Sequence, residues 1–312
     1  MPIRNSCLST LAMTVLAFAA SPACQAGYWL VGADGGIYTF GGAGFYGSLG
    51  GQSLAAPIVG METTPSGGGY WLVDANGKVF NFGNAALFTA TGGTPTAGNQ
   101  AGLLATPDGL GYWIFGKGGG LYTYGDAGNF GGNPPLNSGA RVVGLQSTPD
   151  GKGYWMASSD GGVYSFGTAQ FYGSNPPLSG ASVVGMAATP DGKGYWLASS
   201  TGGVFTFGDA GFYGSQGGPL NAPIVGIEAT PDGKGYWLVG ADGGVFTFGD
   251  AQFSGSLAGT RLNAPIVGIE DVPSTFGSSI PEPATLTLLG VAAVGLMGHV
   301  RRRRAYEAGK GS

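Results

Sequence analysis

The chain has almost nothing with which to carry out nucleophilic or transition-metal chemistry. Its 312 residues include only two cysteines, Cys7 and Cys24, and a single histidine, His299. Both cysteines fall within the first 26 residues, and the histidine sits in an apolar segment close to the C-terminus. The long middle of the chain therefore has no disulfide and no thiol. Ser-His-Asp and Cys-His machinery are excluded there, as are the nitrogen and sulfur ligands that zinc and copper prefer. Charge is also scarce. Asp, Glu, Lys and Arg make up 10% of the residues. Between Gly27 and Ile280 seven basic residues face fifteen acidic ones, a net charge of −8. An acidic, charge-poor surface argues against nucleic acid and anionic membrane surfaces as partners. Carboxylate chemistry and oxygen-ligated cations are what survive.

Glycine is abundant instead, with 65 residues beside 19 prolines. Such a composition without periodicity would indicate low complexity, but here the glycines recur in phase. The dipeptide Tyr-Trp, each time preceded by glycine, begins at Tyr28, Tyr70, Tyr112, Tyr154, Tyr195 and Tyr236. The spacings are 42, 42, 42, 41 and 41 residues, and the six units contain every tryptophan. A period of 40 to 45 with several short strands marks a β-propeller blade.

The best-formed repeat runs from Ile224 to Asp250. Ile224 to Thr230 is a short branched run suited to a buried strand. Pro231-Asp232-Gly233 is turn chemistry, with proline fixing φ and glycine permitting a positive one. Tyr236 to Val239 forms a second strand, and Asp242-Gly243 signals a tight hairpin. Val245 to Phe248 alternates its faces as a third strand must. A fourth strand is expected after the Gly-Asp-Ala turn, at Phe212-Tyr213-Gly214-Ser215 and Phe45-Tyr46-Gly47-Ser48 in neighbouring repeats. The phase of the repeats predicts how the ring closes. Tyr28 starts in the second strand of a blade, and a spare strand, Ile266 to Glu270, follows the sixth unit. That strand can complete the first blade and remove an open edge. The expectation is an all-β, six-bladed β-propeller of four-stranded blades over residues 27–273, closed by this C-terminal strand. A linker would follow at residues 274–280.

The repeats resemble a family of Gly-Tyr-Trp repeats in secreted bacterial proteins, loosely grouped with WD40-like propellers. The Gly-His and Trp-Asp pairs of WD40 proper are missing, and kelch repeats separate the tyrosine and tryptophan that are adjacent here. The resemblance implies the fold more than any one activity.

Both ends carry targeting signals. Arg4, the apolar stretch Leu8 to Ala20 and the small residues Ala23-Cys24-Gln25-Ala26 read as a secretory signal peptide over residues 1–26, cut by signal peptidase after Ala26, with Ala23 as the second choice. At the other end, Pro281-Glu282-Pro283 precedes a 17-residue apolar run, Ala284 to Val300, and then Arg301, Arg302, Arg303 and Arg304. Seventeen residues is the lower limit for a membrane-spanning helix, and arginines hold their end in the cytoplasm. A plain anchor has no use for the Pro-Glu-Pro. The arrangement over residues 281–304 resembles the PEP-CTERM sorting signal, which implies recognition and processing by an exosortase in a Gram-negative bacterium that secretes exopolysaccharide. Residues 305–312 would be a short cytoplasmic tail.

Among candidate sites, the Tyr-Trp pairs offer a stacking platform for sugars, but one tryptophan per repeat at identical phase favours packing between blades. The Asp-Gly-Gly hairpins at Asp34, Asp160 and Asp242 resemble calcium-loop fragments, yet Asn76, Gly118 and Thr201 hold the same position elsewhere, so a turn requirement explains all six. One column of the innermost strand varies while its neighbours stay fixed. It holds Glu62, Leu104, Gln146, Ala187, Glu228 and Glu270. Once the spare strand joins the first blade, Glu228, Glu270 and Glu62 fall in consecutive blades, an acidic arc on one side of the central channel. Like charges raise one another's pKa or attract a cation, and calcium suits carboxylate oxygens. No other cofactor is expected. The loops from outermost to innermost strand, on the rim of the Asp-Gly hairpins, vary most and are the expected partner face. The expected function is non-enzymatic: an exported propeller at the cell surface or in the matrix, binding a polysaccharide or a surface protein. The alternatives are a carboxylate-dependent glycosidase or polysaccharide lyase, and a purely structural matrix protein.

Overall fold

A computed structural model describes residues 27–175 and 177–273, all of them strand, turn or irregular backbone. The expected signal peptide, most of the linker, the sorting signal and the tail lie outside these residues. Among the described residues no helix is long and apolar enough to cross a membrane.

Nineteen strands form six antiparallel sheets. The Tyr-Trp pair opens the middle strand of each: β1 (Tyr28–Gly32), β4 (Gly69–Asp74), β8 (Gly111–Gly116), β11 (Gly153–Ser158), β14 (Gly194–Ser199) and β17 (Gly235–Gly240). On the inner side lie β3 (Ile58–Thr63), β7 (Gln100–Ala105), β10 (Val142–Ser147), β13 (Val183–Ala188), β16 (Ile224–Ala229) and β19 (Ile266–Asp271). On the outer side lie β2 (Ile37–Phe40), β5 (Val79–Gly83), β9 (Leu121–Gly125), β12 (Val163–Gly167), β15 (Val204–Gly208) and β18 (Val245–Gly249). Five sheets take their inner strand from the sequence just ahead of the middle one. The remaining sheet has the order β19-β1-β2, with Tyr28 opposite Asp271 and Trp29 opposite Glu270.

The repeats differ from expectation in the fourth strand. Only one sheet has it, β6 (Ala90–Gly92), pairing with β9 through Ala90–Tyr124 and Gly92–Thr123. In the other five repeats the segment joins no ladder. The cause is a single position. Gly47, Gly131, Gly173, Gly214 and Gly255 hold φ between 132° and 140°, where a side chain is rarely accommodated and a strand cannot continue. The repeat that forms β6 has Thr89 at this place instead. Its β-branched neighbour Thr91 then bonds Thr123 on β9. The residue two before the glycine is left exposed, as at Phe45, Phe171, Phe212 and Phe253.

The Tyr-Trp pair holds the sheets together. All six tryptophans and all six tyrosines of the pairs are buried. Each tryptophan donates its indole N–H to a carbonyl 15 residues on, at 2.6 to 2.9 Å, fixing the outer segment of its own repeat. Tyrosine reaches the other way. Tyr70, Tyr154, Tyr195 and Tyr236 donate to Gly47, Gly131, Gly173 and Gly214 of the preceding repeat. Tyr28 donates at 2.5 Å to Gly255, which stands 227 positions away in the last repeat. Tyrosine and tryptophan are thereby buried with their polar ends satisfied, the condition for placing such residues in a core. Each hydrophobic cluster accordingly mixes two sheets. Tyr28, Leu30, Ile266 and Ile269 pack against Trp237, Val239 and Val245.

Neighbouring inner strands approach closely at a glycine column. A Cβ on Gly60 would lie 3.0 Å from the Cα of Gly102, and one on Gly144 would lie 3.1 Å from Met186. Glycine at these places lets the inner strands crowd around a narrow space.

Replacing a buried tryptophan removes both its packing and its indole bond. Trp196→Ala should cost about 3–5 kcal/mol, whereas the loop change Gln216→Ala should stay within roughly 0.5 kcal/mol. Paired chemical-denaturation curves check this, and equal midpoints would contradict the packing role.

Candidate functional site

The innermost strands β3, β7, β10, β13, β16 and β19 together line one central channel of about 120 Å³. Its size follows from the glycine column, which draws the strands inward. A water occupies about 30 Å³ of liquid, whereas pockets for small organic ligands run from about 300 to 1,000 Å³. The channel is scaled for a few waters.

The structure places Glu62 on β3, Glu228 on β16 and Glu270 on β19, all three among the channel-lining residues. Each stands directly across its ladder from a tryptophan: Glu62 from Trp71, Glu228 from Trp237 and Glu270 from Trp29. On the other three inner strands the same column holds Leu104, Gln146 and Ala187. There Leu104 and Ala187 are buried in the core, and Gln146 donates to the carbonyl of Met186 at 3.3 Å. The channel is therefore acidic on one side and nearly apolar on the other, and no Lys, Arg or His is among its lining residues.

A fourth acid, missed in the sequence, belongs to this group. Asp271 ends β19 opposite Tyr28. Thr63, Ala105, Ser147, Ala188 and Ala229 close the other inner strands at that place. The signal was visible: among these equivalent positions only the closing strand carries a charge.

Desolvation dominates the electrostatics. The glutamates keep some contact with channel water, yet protein surrounds them on every side, and that enclosure governs their ionisation. Burial pushes the Glu62 carboxyl up to about 8, opposed by an N–H from Ala105 and reinforced by the charge on Asp271. Burial also raises Glu228, with Asp271 and Glu62 adding repulsion. Glu270 is raised by burial, then by Glu62, Glu228 and Asp271. Asp271 itself is pushed up to about 7 by burial, with its own backbone N–H working the other way. The mutual repulsion shows that the four acids share one field. Protons are the means of relief that the geometry offers directly. Among the described residues no group of three or more acidic, His or Cys side chains is placed to hold a metal ion.

The other sequence candidates resolve into turns. Asp34 and Asp242 accept the N–H of Gly36 and Gly244 at 3.0 Å within their hairpins. Asp160 accepts from the hydroxyl of Ser158 and from Asn137. The Thr-Pro-Asp-Gly turns at the other strand ends use the threonine as a hub: Thr230 donates to Asp232 and Asp250. Ala26, Pro281, Glu282, Pro283 and Arg301 to Arg304 lie outside the described residues.

The PEP-CTERM protein-sorting motif matches residues 279–304. This implies an exported protein sorted by exosortase, with membrane-associated sorting of the kind found in Gram-negative bacteria. No curated protein sequence matches the chain. Among solved structures, the chain is similar to the β-propeller domain of Cps50 (Swd1) from Myceliophteria thermophila. The two share 12% identity at a TM-score of 0.48, over 73% of this chain and 82% of that one.

The raised carboxyls make stability fall with pH. A group whose folded pKa lies above its unfolded value stabilises the fold fully below the unfolded pKa, and that contribution is lost as pH rises through the folded one. For Glu62 the window runs from the ordinary carboxylate range near 4.5 to about 8, and for Asp271 from 3.8 to about 7. Thermal melts should fall across pH 5 to 8. The triple change Glu62→Gln, Glu228→Gln, Glu270→Gln should raise the melting temperature at pH 8 and flatten the profile. Parallel profiles for the two proteins would contradict the shared field.

Proposed function

We propose that residues 27–272 form a closed six-bladed propeller that works by binding, carried to the cell surface or matrix by the sorting signal. The observation that carries the reading is the pairing of a sorting motif at residues 279–304 with propeller-like sheets whose first and last repeats bond to one another. A module exported by a dedicated route, with no histidine or cysteine after residue 26 until His299, supports recognition rather than catalysis. The ligand class is a matrix polysaccharide or a surface protein. The glycosidase or lyase alternative needs two carboxylates with a saccharide between them. The three channel glutamates, Glu62, Glu228 and Glu270, gather in a space of about 120 Å³, too narrow for a sugar chain, so the channel does not serve that alternative. A purely structural matrix role requires no ligand and is separated from binding by a direct assay: the exported protein should retain a matrix polysaccharide or surface protein, and retention of neither would favour the structural role.

Closure is tested by truncation. Ending the chain after Gly259 removes β19, exposes the edge of β1 and leaves the cluster around Tyr28 without Ile266 and Ile269. That protein should lose cooperative unfolding or melt far lower than one ending after Phe276. Equal melting temperatures would overturn the closed ring.

Sorting is tested at the other end. Pro281→Ala with Glu282→Ala should leave the protein membrane-bound and unprocessed in its host. Release of the same mature mass from the variant would show that the motif is not used.

A further inference from the structure

Two candidate sites differ sharply in capacity. The central channel admits a few waters, whereas an open groove between the fourth and fifth sheets has a volume of about 670 Å³, within the ordinary range for ligand pockets. It lies at the Thr-Pro-Asp-Gly turns, on the opposite ends of the strands from the hairpin rim that sequence variability favoured.

One wall comes from the turn Thr148-Pro149-Asp150 with Gln170 and Tyr172, the other from Asp191, Lys193 and Asp209. We propose that this groove binds an oligosaccharide bearing amino sugars. The inference rests on the reading of the domain as a binding propeller.

The groove's side chains suit that ligand class in number, sign and rigidity. Asp150 is held by Thr148, Thr168 and the N–H of Lys152, all on Oδ1. Its other oxygen is left for a ligand hydroxyl or ammonium. These bonds keep the carboxyl below its usual range, the one from Thr148 most of all. Asp191 is lowered to about 2 by its bonds from the Lys193 side chain and backbone. The pair forms an ion pair at 2.9 Å. Asp209 is close enough for its charge to act on Lys193, and no hydrogen bond engages its carboxylate among the described residues. Three acids against one lysine give the groove a net charge of −2. That favours an ammonium-bearing saccharide and disfavours a uronic-acid polymer, since like charges brought together select against the wrong ligand. Tyr172 contributes a half-buried ring pinned by its hydroxyl to Gly192 at 3.1 Å. A ring fixed before the ligand arrives loses little entropy on binding. The amide of Gln170 offers both a donor and an acceptor.

The next junction repeats most of this chemistry. Asp191, Tyr213, Lys234 and Asp250 stand where Asp150, Tyr172, Lys193 and Asp209 do. Tyr213 bonds Gly233 as Tyr172 bonds Gly192. Repetition from one repeat to the next suits a polymer with repeating units. Gln170 is replaced there by Gly211, so of these two grooves the one beside Gln170 carries an amide.

The test uses the full chain in detergent and titration calorimetry at low salt, with three hexasaccharide probes: β-1,4-linked glucosamine, β-1,4-linked glucose and α-1,4-linked galacturonate. The glucosamine hexamer should bind at least tenfold more tightly than the glucose hexamer, and galacturonate should show no binding. Asp209→Asn combined with Gln170→Ala should weaken glucosamine binding tenfold or more, while Glu62→Gln in the channel should leave it unchanged. If the double variant melts early, Gln170→Ala alone, a change at a solvent-facing amide, decides the matter. Saccharide binding that survives these substitutions, or that prefers galacturonate, would overturn the groove and leave polysaccharide binding standing. Absence of binding to every saccharide, including extracted matrix polysaccharide, would overturn the groove and the polysaccharide half of the binding reading, leaving a surface protein as the ligand class.

Discussion

The structure depends on one arrangement: a tyrosine and a tryptophan, adjacent in sequence, buried between sheets with their polar ends bonded in opposite directions. Burying either ring supplies apolar area on the scale of about 150–250 Å², but only if the hydroxyl and the indole N–H find acceptors. Tryptophan finds one in its own repeat, and tyrosine finds one in the repeat before. Five of the six pairs, those of Tyr28, Tyr70, Tyr154, Tyr195 and Tyr236, therefore tie a sheet to itself and to its neighbour. A strand's alternation sends adjacent side chains to opposite faces, so the pair reaches both gaps at once. The bond from Tyr28 to Gly255 carries the same device across the two ends of the domain.

Packing sheets this way has a consequence at the centre. Inner strands that meet at glycines leave a channel of only about 120 Å³, and any charge in it is enclosed by protein. Three glutamates stand there with Asp271 close enough for its charge to act on them, and no cation is among the lining residues to offset them. At neutral pH they are a burden on the fold, relieved by protonation. The channel is too narrow for a ligand of ordinary size, whereas the turns of two adjacent repeats form a groove that is wide enough. The packing of the inner strands thus bears directly on where this exosortase-sorted protein offers ligand-sized space.

Much of this was legible in the residues. The Gly-Tyr-Trp period marked the middle strand of every sheet, and the branched runs such as Ile224 to Ala229 marked the inner ones. The spare run at Ile266 appeared from phase alone and lies against β1. The Glu62, Glu228 and Glu270 column was visible because its neighbours were constant. Other features were hidden for physical reasons. A fourth strand was expected from Phe-Tyr-Gly-Ser, but whether an extended segment joins a ladder depends on the φ of one glycine, which composition does not reveal. Thr89 shows the other outcome. Channel width was also out of reach, because it depends on how closely Gly60 and Gly102 approach, residues far apart in sequence. The inter-sheet groove combines Gln170 with Asp209, and only the assembled repeats bring such residues together.

Native-state hydrogen exchange tests the central claim most directly. If the Tyr-Trp device and β19 tie the six sheets into one cooperative ring, the amides of β1 and β19 exchange only through global unfolding. Their opening free energies should then equal those of β11, in the middle of the chain. Amides of β1 and β19 that open far more readily than those of β11 would mean that the first and last repeats are not joined, and would contradict the closed ring.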